Sequence, residues 1–122
     1  MVVLVCGSRY WHSRRAIQDA IYNLPHGTSI IHGNCKGADT MAGEAAKVMG
    51  FSICIFNADW GRHGLAAGPV RNREMLNQKP DLVIAFHDDI NSSKGTRDCV
   101  EEAKIRGIPV ELWRSNSTHI NL

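Results

Sequence analysis

Short apolar runs alternate along this chain with stretches whose apolar residues recur at helical spacing. Val2 to Cys6 is a continuous run rich in β-branched residues, the pattern of a strand covered on both faces. Ser13 can cap the next segment, where Ala16, Ile17, Ala20, Ile21 and Leu24 share one helical face until Pro25-His26-Gly27 stops it. Thr28 to His32 is a second run. Ala38, Met41, Ala42, Ala45, Ala46 and Met49 then repeat at helical spacing up to Gly50. Phe51 to Phe56 reads as a third strand and Asn57 to Gly68 as a long loop. Pro69 suits the first turn of a helix running to about Gln78. Asp81 to Phe86, a helix from about Gly95 to Arg106, and Ile108 to Leu112 complete the series.

Such alternation predicts an α/β, Rossmann-like domain over residues 1–113, a parallel five-stranded sheet with helices on both faces. The polar tail from Arg114 to Leu122 is expected to fray. A length of 122 residues fits one domain, and 43% hydrophobic with 21% charged residues excludes disordered, collagenous and coiled-coil classes. The net charge of +2 is too small to argue for DNA or an acidic membrane. No apolar run approaches the ~20 residues a bilayer needs. The opening residues lack the basic region of a signal peptide, so a cytoplasmic location is expected. Cys6, Cys35, Cys54 and Cys99 then read as thiols in a reducing compartment, without CxxC or zinc spacing. No motif asks for a cofactor or a metal.

In an open parallel sheet, ligands bind beyond the carboxyl ends of the strands, where strand order reverses. Four such ends carry unusual residues. The first is Gly7-Ser8-Arg9: a tight turn, a hydroxyl and a cation able to hold an anion with two bonds, or else an ordinary turn with a solvated Arg. Trp11 follows, and Trp60 lies in the long loop; either indole can stack on a base or pack inside.

The second end, His32 to Asp39, brackets Lys36 between Gly33 and Gly37 at a helix start, where free N–H groups favour anions. Its spacing is neither that of a dinucleotide fingerprint nor that of a P-loop. Asp39 can cap the helix or hold a ribose hydroxyl, and His32 can be a satisfied core residue. In the third, Arg71 and Arg73 stand roughly 200° apart around a helix, so one can serve a ligand while the other pairs with Glu74 or Asp59. Arg71 is the favoured ligand residue. The fourth runs from His87 through Asp88, Asp89, Ser93, Lys94 and Gly95 to Thr96, again placing hydroxyls, a cation and amides at a helix start. Asp88 and Asp89 can bind Mg²⁺, contact sugar hydroxyls, or simply be solvated.

The segments VCGSR, HGNCKGAD, ADWGRHGLAAGPVRNREML, PDLVIAFHDDINSSKGT and GIPV, in order from about Val2 to Val110, resemble the YspA-related branch of the SLOG superfamily. That superfamily includes the lonely-guy phosphoribohydrolases and, more distantly, the DNA-processing protein DprA. The resemblance implies a nucleotide-binding Rossmann-like domain with phosphate near the GSR, GxxxGAD and KGT segments. In the phosphoribohydrolases an Arg ahead of the fourth strand and a Glu in PGGxGTxxE carry N-glycosidic cleavage. Arg71 matches that Arg and Gly95-Thr96 the GT pair, but Cys99 stands at the glutamate and His87-Asp88-Asp89 replaces PGG. A neutral thiol cannot stabilise an oxocarbenium-like centre, so hydrolysis would need Asp98 or Glu101, which point to other sides of the helix than Cys99.

Three readings follow. The first is a module that binds a nucleotide or nucleotide-derived small molecule. The second is an N-glycosidic hydrolase in which Arg71 and a carboxylate, Asp88, Asp98 or Glu101, carry the chemistry. The third is single-strand nucleic-acid binding, opposed by the near-neutral charge and the absence of a basic, aromatic-interleaved stripe. Related enzymes dimerise, which leaves room for a homo-oligomer.

Overall fold

Strict alternation along the first strand explains how two cores form on either side of one sheet. In the computed structural model, which describes all residues 1–122, β1 (Val2–Gly7) turns Val3 and Val5 to one face and Leu4 and Cys6 to the other. On the first face lie α1 (Arg14–Ile21), which follows β1, and α2 (Ala38–Val48), which follows β2 (Ser29–His32). Ser13 caps α1 by accepting from the Ala16 N–H at 3.4 Å, and Ala16, Ile17, Ala20 and Ile21 are its buried stripe. Burying a side chain such as Ile17 stabilises the fold by about 1.5–3 kcal/mol. The buried residues of α2 are small, with Ala38, Ala42, Gly43, Ala45 and Ala46 letting the helix lie close on the strands.

The chain then forms β3 (Ser52–Ile55) and crosses to the other face. A short helix, α3 (Trp60–His63), and a 3₁₀ turn (Gly64–Ala66) occupy the segment that reads as a loop in the sequence. The next helix, α4 (Ala67–Leu76), leads to β4 (Leu82–Phe86), and α5 (Lys94–Ile105) leads to β5 (Val110–Trp113). Met75 and Leu76 of α4 and Cys99, Val100 and Ala103 of α5 bury Leu4, Cys6, Ile31, Val83, Ala85, Val110 and Leu112.

The sheet has six strands in the order β3-β2-β1-β4-β5-β6, and the first five run parallel. The expected α/β, Rossmann-like architecture is present with one strand more than the five predicted. The sixth corrects the expectation of a frayed tail. His119–Asn121 folds back as β6, antiparallel to β5, with the Trp113 indole stacked on the His119 ring at 4.4 Å. Backbone pairing and this one stack order a segment whose composition is polar. Strand order reverses between β1 and β4, the kind of place where open parallel sheets commonly bind ligands. No helix is long and apolar enough to cross a membrane.

Candidate functional site

At the end of β1 the backbone is pressed between two neighbours. A Cβ on Gly7 would lie 2.6 Å from the Phe86 carbonyl oxygen and 2.6 Å from the Ala38 Cβ, so only glycine fits there. The Ser8 N–H donates to the Phe86 carbonyl at 2.9 Å, and the Ser8 carbonyl accepts from Trp11 and Ala38. The Ser8 hydroxyl oxygen accepts from the Tyr10 N–H at 3.0 Å. This local network aims the exposed Arg9 outward. Trp11 goes the other way. Its indole is buried against Phe86 at 5.6 Å between ring centroids, and its N–H donates to the Ser13 carbonyl at 3.0 Å. Trp11 is a core residue, so of the two readings its sequence left open it takes the inward one.

The loop after β2 is built around Asp39. One of its oxygens, Oδ2, accepts from the Gly33 N–H at 3.0 Å and the Cys35 N–H at 3.3 Å. Asp39 therefore neither caps α2 nor points out towards a ribose; it ties the loop to the first turn of the helix. Burial pushes its carboxyl up to about 6, against the lowering pull of the Cys35 and Gly33 amides and the Arg71 guanidinium. His32 is a core residue, held neutral by burial and accepting at Nδ1 from the Asn34 N–H at 2.9 Å. Gly37, at φ +81°, closes the turn where any side chain would collide with the Ser8 and Arg9 carbonyls. The N–H groups of Lys36, Gly37, Asp39 and Thr40 make no hydrogen bond within the protein, so the turn offers a cluster of free donors.

Two consecutive residues of α4 join this loop to α5. Arg71 donates to the Gly33 carbonyl at 2.9 Å, lies 3.7 Å from the Cys35 sulfur, and donates through Nε to the Asn72 side-chain Oδ1 at 3.2 Å. The buried Asn72 then donates to the Gly95 carbonyl at 3.3 Å and to Asp98 at 3.0 Å. Asn72 escapes sequence reasoning because an Asn beside an Arg carries no motif; only its burial reveals the role. Arg73 departs from its expected partners, Glu74 and Asp59, and pairs with Asp98 and Glu102, each at 3.5 Å.

Beyond β1, β2 and β3 lies a cleft of about 440 Å³ lined by Arg9, Gly33, Asn34, Cys35, Lys36, Asn57, Ala58, Trp60 and Arg71. It gathers three cations and no carboxylate. Of the residues singled out in the sequence, Arg9, Gly33, Lys36 and Arg71 line it, with Trp60 as the alternative indole. Gly7, Ser8, Gly37 and Asp39 are not among the lining residues; they hold the loops after β1 and β2 through the contacts above. Asn34, Cys35, Asn57 and Ala58 join it because they follow β2 and β3, a positional signal that residue type does not carry.

The remaining predicted residues are elsewhere. Ser93 caps α5 by accepting from the Thr96 N–H at 3.1 Å, and Thr96 is buried. Lys94, Gly95 and Thr96 thus sit at a helix start outside the cleft's lining, linked to its Arg71 through Asn72. His87 accepts at Nδ1 from the Asp89 N–H at 2.9 Å. Asp88 accepts from the Ser115 N–H at 2.8 Å, a bond that holds its carboxyl below the usual range. Asp98 is committed to Asn72 and Arg73, and Glu101 forms an exposed pair with Arg97 at 3.9 Å. No group of three or more His, Cys, Asp or Glu side chains is placed to hold a metal ion. A smaller hollow of about 160 Å³ between α1 and α2 contains none of these residues.

A profile of the YspA, cpYpsA-related SLOG family matches residues 1–63. The Gene 61 protein of Mycobacterium phage D29 is 39% identical over 117 residues, covering 88% of this chain and 92% of the phage protein. No solved structure matches.

Proposed function

The chain belongs to the YspA, cpYpsA-related SLOG family, and from that premise we propose that it binds a nucleotide or nucleotide-derived small molecule in the cleft beyond β1, β2 and β3. Membership in this family suggests a nucleotide-related role, and the lining of the cleft carries the more specific reading. Arg9, Lys36 and Arg71 line it with no carboxylate among the lining residues, the nearby Asp39 carboxyl being buried and engaged by the Gly33 and Cys35 amides, and the free amides of the turn leading into α2 lie beside them. A phosphate group supplies the charge and the acceptor oxygens that this set lacks.

The same arrangement weighs against N-glycosidic cleavage. Such chemistry needs a carboxylate at the reacting carbon. Asp98 is held by Asn72 and Arg73, Glu101 faces solvent with Arg97, and Asp88 is engaged with Ser115.

Calorimetry with AMP, ADP and ADP-ribose tests the binding role, with chromatography of the same mixtures for released base. We expect saturable binding that Arg71→Ala weakens, and no release. Absence of heat with all three at millimolar concentration overturns the proposal. Release of base that Asp98→Asn abolishes would reinstate the hydrolase.

A further inference from the structure

Three tryptophans divide sharply by exposure: Trp11 and Trp113 are 6% and 8% exposed, whereas Trp60 is 58% exposed. Trp60 alone among them lines the cleft, where its neighbours are cations, amides and two asparagines. Its position is fixed from two sides. Asp59 caps the short helix α3 by accepting from the Arg62 N–H at 3.1 Å, which sets the turn that presents the indole. The outer edge of the ring rests over Gly68, where an added Cβ would meet Cη2 at 3.8 Å. Gly68 precedes Arg71 by three residues on α4, so ring and guanidinium stand on one side of that helix. Asn34 donates to Asn57 at 3.1 Å and so ties the loop that holds Lys36 to the loop that leads to Trp60.

A large aromatic ring left mostly in solvent, held beside three cations, matches a ligand with a flat apolar end and an anionic end. We infer that Trp60 is the stacking platform for the ligand's ring, so that the bound class is nucleotides retaining their base rather than sugar phosphates or inorganic phosphates. The inference rests on the proposed phosphate role of the cleft and adds the part of the molecule that those cations do not recognise.

Binding of AMP, ribose 5-phosphate and pyrophosphate to the wild type, Trp60→Phe and Trp60→Ala tests it. Tryptophan fluorescence and its acrylamide quenching are followed alongside calorimetry. With the other indoles buried, acrylamide reports on Trp60. We expect AMP to shield it and to bind Trp60→Ala about 5- to 140-fold more weakly, the range for loss of one base stack. Trp60→Phe is expected to retain most of the affinity, and ribose 5-phosphate and pyrophosphate to bind all three proteins alike. Undiminished AMP affinity in Trp60→Ala overturns the stacking role while leaving the phosphate site standing. Equal weakening of AMP and ribose 5-phosphate also overturns it, because the indole would then only support the wall. Failure of every probe to bind the wild type overturns both proposals.

Discussion

The Arg71 guanidinium donates to the Gly33 carbonyl at 2.9 Å, and a Cβ built on Gly33 would lie 2.5 Å from Nη1 of that same guanidinium. The bond and the missing side chain are two aspects of one contact. Gly33→Ala is therefore predicted to push the tip of Arg71 aside. The obstruction is the end of a flexible side chain, so stability should change by about 1 kcal/mol or less. Losing a charge-assisted bond to the ligand should cost about 1.5–3 kcal/mol of AMP binding. Thermal melting and calorimetry on the one variant separate the two effects. Unchanged affinity would remove Arg71 from the binding site.

Asp39 makes a prediction about pH. Its folded carboxyl titrates at about 6 against an ordinary value of 3.8, chiefly because burial disfavours the charge. Between those values the folded state binds more proton than the unfolded chain, so this residue's contribution to stability falls as pH rises from 4 to 6. The size is on the order of 3 kcal/mol. Protonation need not undo the loop, because both amides donate to Oδ2 and leave Oδ1 to carry the proton. His32 acts with the opposite sign: its lowered value makes stability fall as pH drops below 6.5. Urea unfolding of wild type and Asp39→Asn at pH 4.5 and 7.5 cancels His32 and isolates Asp39. We expect the mutant to lack the wild type's loss on going to pH 7.5; identical pH profiles would contradict the assignment.

Asn72 is a hub whose loss should register in two places. Asn72→Ala removes the acceptor for Arg71 Nε and the donor to Gly95 and Asp98. The expected destabilisation is about 1–3 kcal/mol in urea unfolding. Asn72→Asp should cost more, and increasingly so as pH rises, since it sets a second carboxylate against Asp98. A neutral effect of both substitutions would mean that α5 is positioned by its apolar face alone.

Truncation after Arg114 tests the tail. It removes β6 and uncovers Trp113, at an expected cost of about 1–3 kcal/mol, visible as a lower Tm. It also removes the Ser115 N–H, the largest influence lowering the Asp88 carboxyl. NMR titration of that carboxyl should then move up towards the ordinary carboxylate range. An unmoved titration would assign the shift to Arg114 and His87 instead.

Much of this molecule can be read from its residues, and the exceptions have identifiable causes. Val2–Cys6, Thr28–His32 and Asp81–Phe86 are apolar because both faces of their strands are covered, so the runs translate directly into β1, β2 and β4. Strand β6 is not legible, since His119, Ile120 and Asn121 owe their order to backbone pairing with Leu112 and its neighbours. Strand β3 runs the other way: Ser52–Ile55 looks like core yet is exposed along its length at the sheet edge. For the cleft, Arg9, Lys36 and Arg71 stand out as cations beside glycine turns. Residue type cannot say which indole turns inward. That is decided for Trp11 by Phe86 beneath it and for Trp60 by the short helix that lifts it out.

Arg71 and Asn72 occupy adjacent positions on α4 yet reach opposite banks of the strand-order reversal, one at the loop after β2 and the other at the start of α5. Both handholds ride on a single stretch of rigid backbone, so any displacement of α4 tugs the two banks together. A disturbance at Gly33 reaches Gly95 in two side-chain steps, a polar link between the two loops that runs alongside the β1–β4 ladder joining the halves of the sheet.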